Sequence, residues 1–253
     1  MNYFFGAVFD KYKTKLQVPL FQNKGLKKNK YSLFQAKIKS NSWNFEKIEK
    51  NQSNYEDDFI ILDNLDNDRI FFLANDKEVQ RLNKNELSEI NKFTDTFPAF
   101  RANLQIYNDN GGFSSYQSEY PFNMINKNGN ILSSISTLLN YTADKNYLIF
   151  KNIYFKPINR LFSAFLIDIK EKKIIQEIKF ITNKTNFFEI KKEHLKPEIY
   201  ISTKEFIGIP IYLSVKDSHL SFEHTHPPHE YFFGKNKFKN VKLLKERINE
   251  IFV

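Results

Sequence analysis

The sequence predicts a mainly β protein of α+β type. The expected architecture is an antiparallel β-sandwich or partly open barrel with a mid-chain helix and a C-terminal amphipathic helix. Three observations point there. Short apolar or alternating runs recur through the second half: Tyr147–Phe155, Leu161–Ile169, Ile174–Thr182, Ile199–Thr203, Ile209–Lys216 and His219–Thr225. Polar breaks such as Lys170-Glu-Lys-Lys173 separate them, a spacing that favours a sandwich or barrel over βαβ units. The 253 residues are 41% hydrophobic and 16% aromatic, with 27 phenylalanines, so a core is available. Seven glycines and eight prolines exclude low-complexity and fibrous classes.

Two strand-like runs open the chain, Tyr3–Phe9 and Tyr31–Lys39, with the basic loop Lys24–Lys30 between them. Phe59–Leu62 and Arg69–Leu73 flank the polar segment Asp63–Asp68 and read as a β-hairpin. Asp76 reads as an N-cap, and Val79, Leu82, Leu87 and Ile90 form one apolar stripe, so a helix or two short ones fit here. Phe100–Tyr107 alternates like a strand and runs into the turn Asn108-Asp-Asn-Gly-Gly112. Gly129–Leu139 fits either a helix or a buried strand. Phe238, Val241, Leu244, Ile248 and Phe252 give the terminal helix its stripe. The chain reads as one β-rich domain, residues 1–253. A soft boundary near 142–146 divides an N-terminal half (1–142) from a C-terminal β-region (146–253).

The absence of cysteine excludes disulfides, zinc ribbons, iron–sulfur clusters and thiol catalysis. No apolar stretch approaches the roughly 20 residues of a transmembrane helix. The N-terminal run has neither the basic leader nor the cleavage site of a signal peptide. A cytoplasmic location is therefore expected. The net charge of +9 raises nucleic acid as a partner. Lysine, however, is over-used together with Asn, Ile, Phe and Tyr, the residues of A+T-rich codons, so nucleic-acid binding is the least favoured function. The stretch Lys24–Lys50 interleaves lysines with Tyr31, Phe34, Trp43 and Phe45 but carries no RNP-type motif.

Four of the five histidines fall between His219 and His229. In Ile209–Lys216, residues Ile209, Ile211, Leu213 and Val215 share one face. A turn at Asp217-Ser218 then sets Val215 opposite Leu220, Leu213 opposite Phe222, Ile211 opposite His224 and Ile209 opposite His226. That register predicts two inward histidines, whose imidazoles need hydrogen-bond partners or a metal. Beyond the Pro227-Pro228 stop, His229 or Glu230 completes a ligand set for a divalent metal of unspecified identity. His224-x-His226-x-x-x-Glu230 resembles part of the first cupin motif, in which two histidines and a glutamate hold a metal inside a β-barrel. The cupin glycine six positions before the first histidine is Ser218 here, and no second motif follows. His224-Thr-His226-Pro227 also resembles the H-x-H-P of JAMM metalloproteases, whose downstream S-x-x-D is missing. The bland alternative is a pair of core histidines bonded to backbone carbonyls.

A second candidate site, for a small-molecule or glycan ligand, gathers Arg101, Asn103, Gln117, Glu119 and Tyr120 near Gly111-Gly112. Planar amides, a carboxylate and an aromatic face suit a polyhydroxylated ligand, and the alternative is a solvated loop. Asp63, Asp66 and Asp68 lack the glycine and terminal glutamate of an EF-hand loop. Two functions follow. The first is a small-molecule or carbohydrate-modifying enzyme with a His-cluster metal in a β-barrel pocket, where the metal activates water or polarises a carbonyl. The second is a non-catalytic glycan- or ligand-binding β-sandwich module.

Overall fold

Alternating sequences make half-buried strands, and unbroken apolar ones make strands buried on both faces. Both kinds are present, and they assemble into four antiparallel sheets. A computed structural model describes residues 2–8, 12–19, 31–49, 54–56, 59–63, 65–90, 102–109, 111–125, 131–224 and 237–252. Strands account for 52% and helices for 10% of the structure.

Sheet I holds β1 (Asn2–Phe5), β3 (Ser32–Lys39), β4 (Ser42–Lys47), β7 (Ile70–Ala74) and β10 (Glu119–Pro121), in the order β10-β1-β7-β3-β4. Sheet II holds β2 (Lys13–Pro19), β5 (Asn54–Glu56), β6 (Phe59–Leu62), β8 (Asn103–Tyr107) and β9 (Phe113–Gln117), in the order β5-β6-β2-β8-β9. Sheet III holds β12 (Lys145–Lys151), β15 (Thr185–Glu189), β17 (Ile209–Lys216) and β18 (His219–His224), in the order β15-β12-β17-β18. Sheet IV holds β11 (Leu132–Ser134), β13 (Leu161–Asp168), β14 (Lys173–Ile181) and β16 (Ile199–Thr203), in the order β11-β16-β13-β14.

The sheets form a four-blade, propeller-like ring and not a clear sandwich or barrel. Sheet III explains the difference. Ile149, Ile211, Leu213, Val215 and Phe222 on one face join a core built mostly by sheets I and II. Leu148, Phe150 and Tyr212 on the other face join a second core with sheet IV. β17 is buried at seven of its eight positions. Its sequence alternates, and Pro210, Tyr212 and Ser214 on the second face are covered as well.

Two further expectations are corrected. Phe59–Leu62 and Ile70–Ala74 do not pair as a hairpin. β6 pairs with β2, and β7 with β1 and β3, so the intervening segment crosses between sheets. Asn67 anchors that crossing, accepting the Val8 amide on Oδ1 at 2.8 Å. The mid-chain helix is a single turn, α1 (Asp76–Val79). Its N-cap is Asn75 and not Asp76: Asn75 Oδ1 accepts the Glu78 amide and Glu78 Oε2 accepts the Asn75 amide. Leu87 and Ile90 are buried through irregular chain, the Leu87 amide bonding the Phe155 carbonyl at 2.9 Å.

One run, 113–121, serves two sheets. β9 ends at Gln117 in sheet II and β10 begins at Glu119 in sheet I. At the crossing, Ser118 is fully buried. It donates its amide to Ala102 O, accepts the Phe5 amide on Oγ and returns the hydroxyl proton to Phe5 O. After α2 (Phe122–Ile125), the expected terminal helix is present as α3 (Lys237–Ile251). Phe252 just beyond it packs its ring 5.0 Å from that of Phe165.

Candidate functional site

The β17–β18 hairpin turns at Asp217-Ser218, with Asp217 in the left-handed region at φ 51°. Val215 faces Leu220, Leu213 faces Phe222 and Ile211 faces His224, as the hydrophobic pattern requires. His224 therefore ends β18 opposite buried Ile211, two residues beyond buried Phe222. His219 starts the strand opposite Lys216. His226, His229, Glu230 and Arg101 lie outside the described residues. Among the described residues no group of three or more histidines and carboxylates is placed to hold a metal ion. The three aspartates near residue 65 separate, each to its own cation: Asp63 to Lys15, Asp66 to Arg69 and Asp68 to Lys37.

Of the second candidate set, the fold brings Asn103, Gln117 and Glu119 together and removes Tyr120. Asn103 and Gln117 are direct cross-strand partners on β8 and β9. Gln117 Nε2 lies 3.3 Å from Glu119 Oε2, and the Ala102 amide lies 3.4 Å from Glu119 Oε1. Tyr120 points the other way, fully buried, and its hydroxyl is 3.4 Å from the Ile207 carbonyl. Burial pushes that phenol's pKa well up, so it stays a neutral core group.

The ladders of β2, β8 and β9 extend this cluster into a grid on the solvent face of sheet II. Gln17, Asn103 and Gln117 form one row, Lys15, Gln105 and Ser115 the next, and Lys13, Tyr107 and Phe113 the third. Leu16, Leu104, Ile106 and Tyr116 alternate with them and are buried, so the grid stands on packed core. Hydrogen bonds orient its centre. Tyr107 donates to Gln105 Oε1 at 2.6 Å, and Gln105 Nε2 donates to Gln17 Oε1 at 3.3 Å. The Tyr107 and Phe113 rings sit 5.1 Å apart, and Phe113 is 51% exposed.

Electrostatically the face is balanced. Lys13 pairs with Asp109 at 2.9 Å and Lys15 with Asp63 at 3.3 Å. The hydrogen-bonded Asp109 carboxylate holds the Lys13 ammonium above its ordinary range. The Lys15 ammonium also lies 5.8 Å from the centre of the Tyr107 ring. Sequence reasoning missed Lys15, Gln17, Gln105, Tyr107 and Phe113 as site residues. Lys13-Thr-Lys-Leu-Gln-Val does alternate and marks a strand, but which strands flank it is a long-range property.

A separate groove of about 420 Å³ lies between the loop after β11 and strand β18, lined by Thr137, Leu138, Asn140, Tyr141, Ser221 and Glu223. Its neighbouring polar groups hold the loop itself. The Asn140 amide donates to Ser214 Oγ, Ser214 donates to Asn146 Oδ1, and Asn146 Nδ2 donates to Asn140 O. No described helix is long and apolar enough to cross a membrane. No family model matches the chain, and neither a curated protein nor a solved structure matches it.

Proposed function

We propose that this chain is a non-catalytic binding module for a neutral glycan, held on the solvent face of sheet II. The observation that carries this is the row Gln17–Asn103–Gln117, three carboxamides aligned across neighbouring strands beside the Tyr107–Phe113 ring pair. Each carboxamide offers two N–H donors and a two-lone-pair acceptor, the mixed set that sugar hydroxyls require. An exposed phenyl ring supplies the apolar partner for a sugar's C–H face. Both lysines of the grid are ion-paired, which disfavours a polyanion. Glycoside hydrolysis generally needs two carboxylates flanking the bond. Among the described residues, Glu119 beside the grid is buried under Gln117 and the Ala102 amide, while Asp63 and Asp109 are tied to lysines.

A glycan array followed by calorimetry tests the proposal. Wild-type protein should bind neutral glycans, and Gln105→Ala/Gln117→Ala should lose at least tenfold in affinity with unchanged melting. An array without a single neutral hit, or a double variant that binds like wild type, would sink it.

A second function draws on one observation, the register position of His224 opposite buried Ile211. It is a small-molecule or carbohydrate-modifying enzyme with a divalent metal on His224, His226, His229 and Glu230. Metal analysis of tag-free protein against His224→Ala/His226→Ala checks it. Protein that comes out free of metal and gains no stability from added zinc, manganese, iron or nickel rules it out.

A further inference from the structure

We infer that the glycan is an extended oligosaccharide of at least three pyranose rings lying along the strands of sheet II. One ring covers Phe113, and the far ring's hydroxyls reach the carboxamide row of Gln17, Asn103 and Gln117. The inference rests on the glycan function proposed above and specifies its ligand.

The dimensions come from the register. The aromatic row, Tyr107 with Phe113, and the carboxamide row, Asn103 with Gln117, are four residues apart along β8 and β9. Four residues of antiparallel strand span roughly 13 Å, more than twice the reach of one pyranose ring. The three strands are together only roughly 10 Å wide, centre to centre, so the long axis of the grid follows the strands. A single ring therefore meets either the aromatic row or the carboxamide row. A chain of three rings meets both and passes over Gln105 and Ser115 between them.

The grid also has a direction. The relay from the Tyr107 hydroxyl to Gln105 Oε1, and from Gln105 Nε2 to Gln17 Oε1, fixes which way both amides face. Gln17 then presents its Nε2 protons at one side of the far row. Gln117 stands at the other side, its Nε2 donating to the buried Glu119 carboxylate, which leaves the Gln117 Oε1 as the acceptor there. Amide donors lie at one flank and an amide acceptor at the other, so the far ring is held through hydroxyls of opposite hydrogen-bonding sense. The amides are held in place before binding, which lowers the ordering cost of each contact. Because the face is an open sheet and not an enclosed pocket, affinity has to accumulate along the chain.

The test is a calorimetric series on the whole protein using linear gluco-, xylo-, manno- and galacto-oligosaccharides of one to six rings. For at least one series, affinity should rise at least tenfold between one ring and three and then level off. Phe113→Ala should reduce three-ring binding toward the two-ring value and leave two-ring binding unchanged. Single rings binding as tightly as three would overturn the extended ligand while leaving glycan binding itself intact. So would a Phe113→Ala protein, folded by its circular dichroism, that binds three rings like wild type. No binding to any member of the four series overturns both.

Discussion

The ammonium of Lys151 lies 3.5 Å from the backbone carbonyl of Asn67, an oxygen that already accepts the Thr185 amide at 2.8 Å. The lysine is fully buried, with its Nζ 5.8 Å from the centre of the Phe5 ring. Asp68, the carboxylate that attracts it, is paired with Lys37 at 3.4 Å. Burial accordingly lowers the Lys151 pKa to about 7 from 10.5. Between those two values the unfolded chain binds a proton that the folded chain does not. Stability contributed here therefore rises with pH across that window and is flat below about 7. Lys151→Met should stabilise the protein at neutral pH, by an amount on the order of a few kcal/mol, and should remove the rise. Urea unfolding at about pH 7 and about pH 9.5 measures both. A variant less stable than wild type at neutral pH would contradict the idea.

That lysine marks where the sequence stops being legible. Strand positions from Tyr147 onward follow from alternation, and the β17–β18 register follows from Leu220 and Phe222 needing the same face as Leu213 and Val215. Local pattern does not say how many layers cover a strand. Lys151 ends β12 as a charged residue, as a solvated strand end does, yet it is fully buried, against Phe5 of sheet I and the crossing segment at Asn67. The site divides in the same way. Asn103 and Gln117 are neighbours across β8 and β9, while the crossing at Ser118 carries both Glu119 and Tyr120 into sheet I, where they are buried. Gln17 and Gln105 join through pairing between residues 88 apart in the chain.

Gly112 has no room for a side chain. A Cβ there would sit 1.7 Å from the carbonyl oxygen of Ser218, so the β8–β9 loop rests directly on the turn of the β17–β18 hairpin. Gly111, beside it, adopts φ 91°, where a Cβ is strained but space is open. Gly112→Ala should therefore cost more than Gly111→Ala, about 1–3 kcal/mol or more through forced separation of the two loops. Thermal melts of the two variants decide the order, and a Gly112→Ala protein that melts no lower than Gly111→Ala would mean that parting the loops costs no more than the strain at Gly111.

Ser118 carries the passage of one strand between two sheets on a single hydroxyl. Its Oγ accepts the Phe5 amide at 3.1 Å and donates to the Phe5 carbonyl, with serine and phenylalanine both buried. Ser118→Ala leaves two main-chain groups without that partner and should cost about 1–3 kcal/mol. Ser118→Thr keeps the oxygen and should recover part of the loss if the added methyl fits. Amide exchange at Phe5 gives the local readout. Exchange at Phe5 that stays as slow in Ser118→Ala as in wild type would show that the hydroxyl is not what holds β1.

The preference for a neutral glycan proposed for sheet II rests on charge balance as much as on shape, and the balance is removable. Asp63 and Asp109 lie at the margin of the grid and neutralise Lys15 and Lys13, with both pairs substantially exposed. Asp63→Asn/Asp109→Asn frees two cations beside the Tyr107–Phe113 rings without touching the carboxamide row. A basic strand face with an exposed ring is the pattern that attracts single-stranded nucleic acid. The double variant should bind a single-stranded oligonucleotide more tightly than wild type. Its log–log salt dependence should be steeper by about 0.7 for each lysine that engages a phosphate. Neutral-glycan affinity should stay within about twofold, because no sugar contact is charged at those positions. Fluorescence anisotropy across a salt series measures the first effect and calorimetry the second. An unchanged salt slope would mean that the two lysines never face a bound polymer, and a lost glycan affinity would mean that the aspartates themselves hold the sugar.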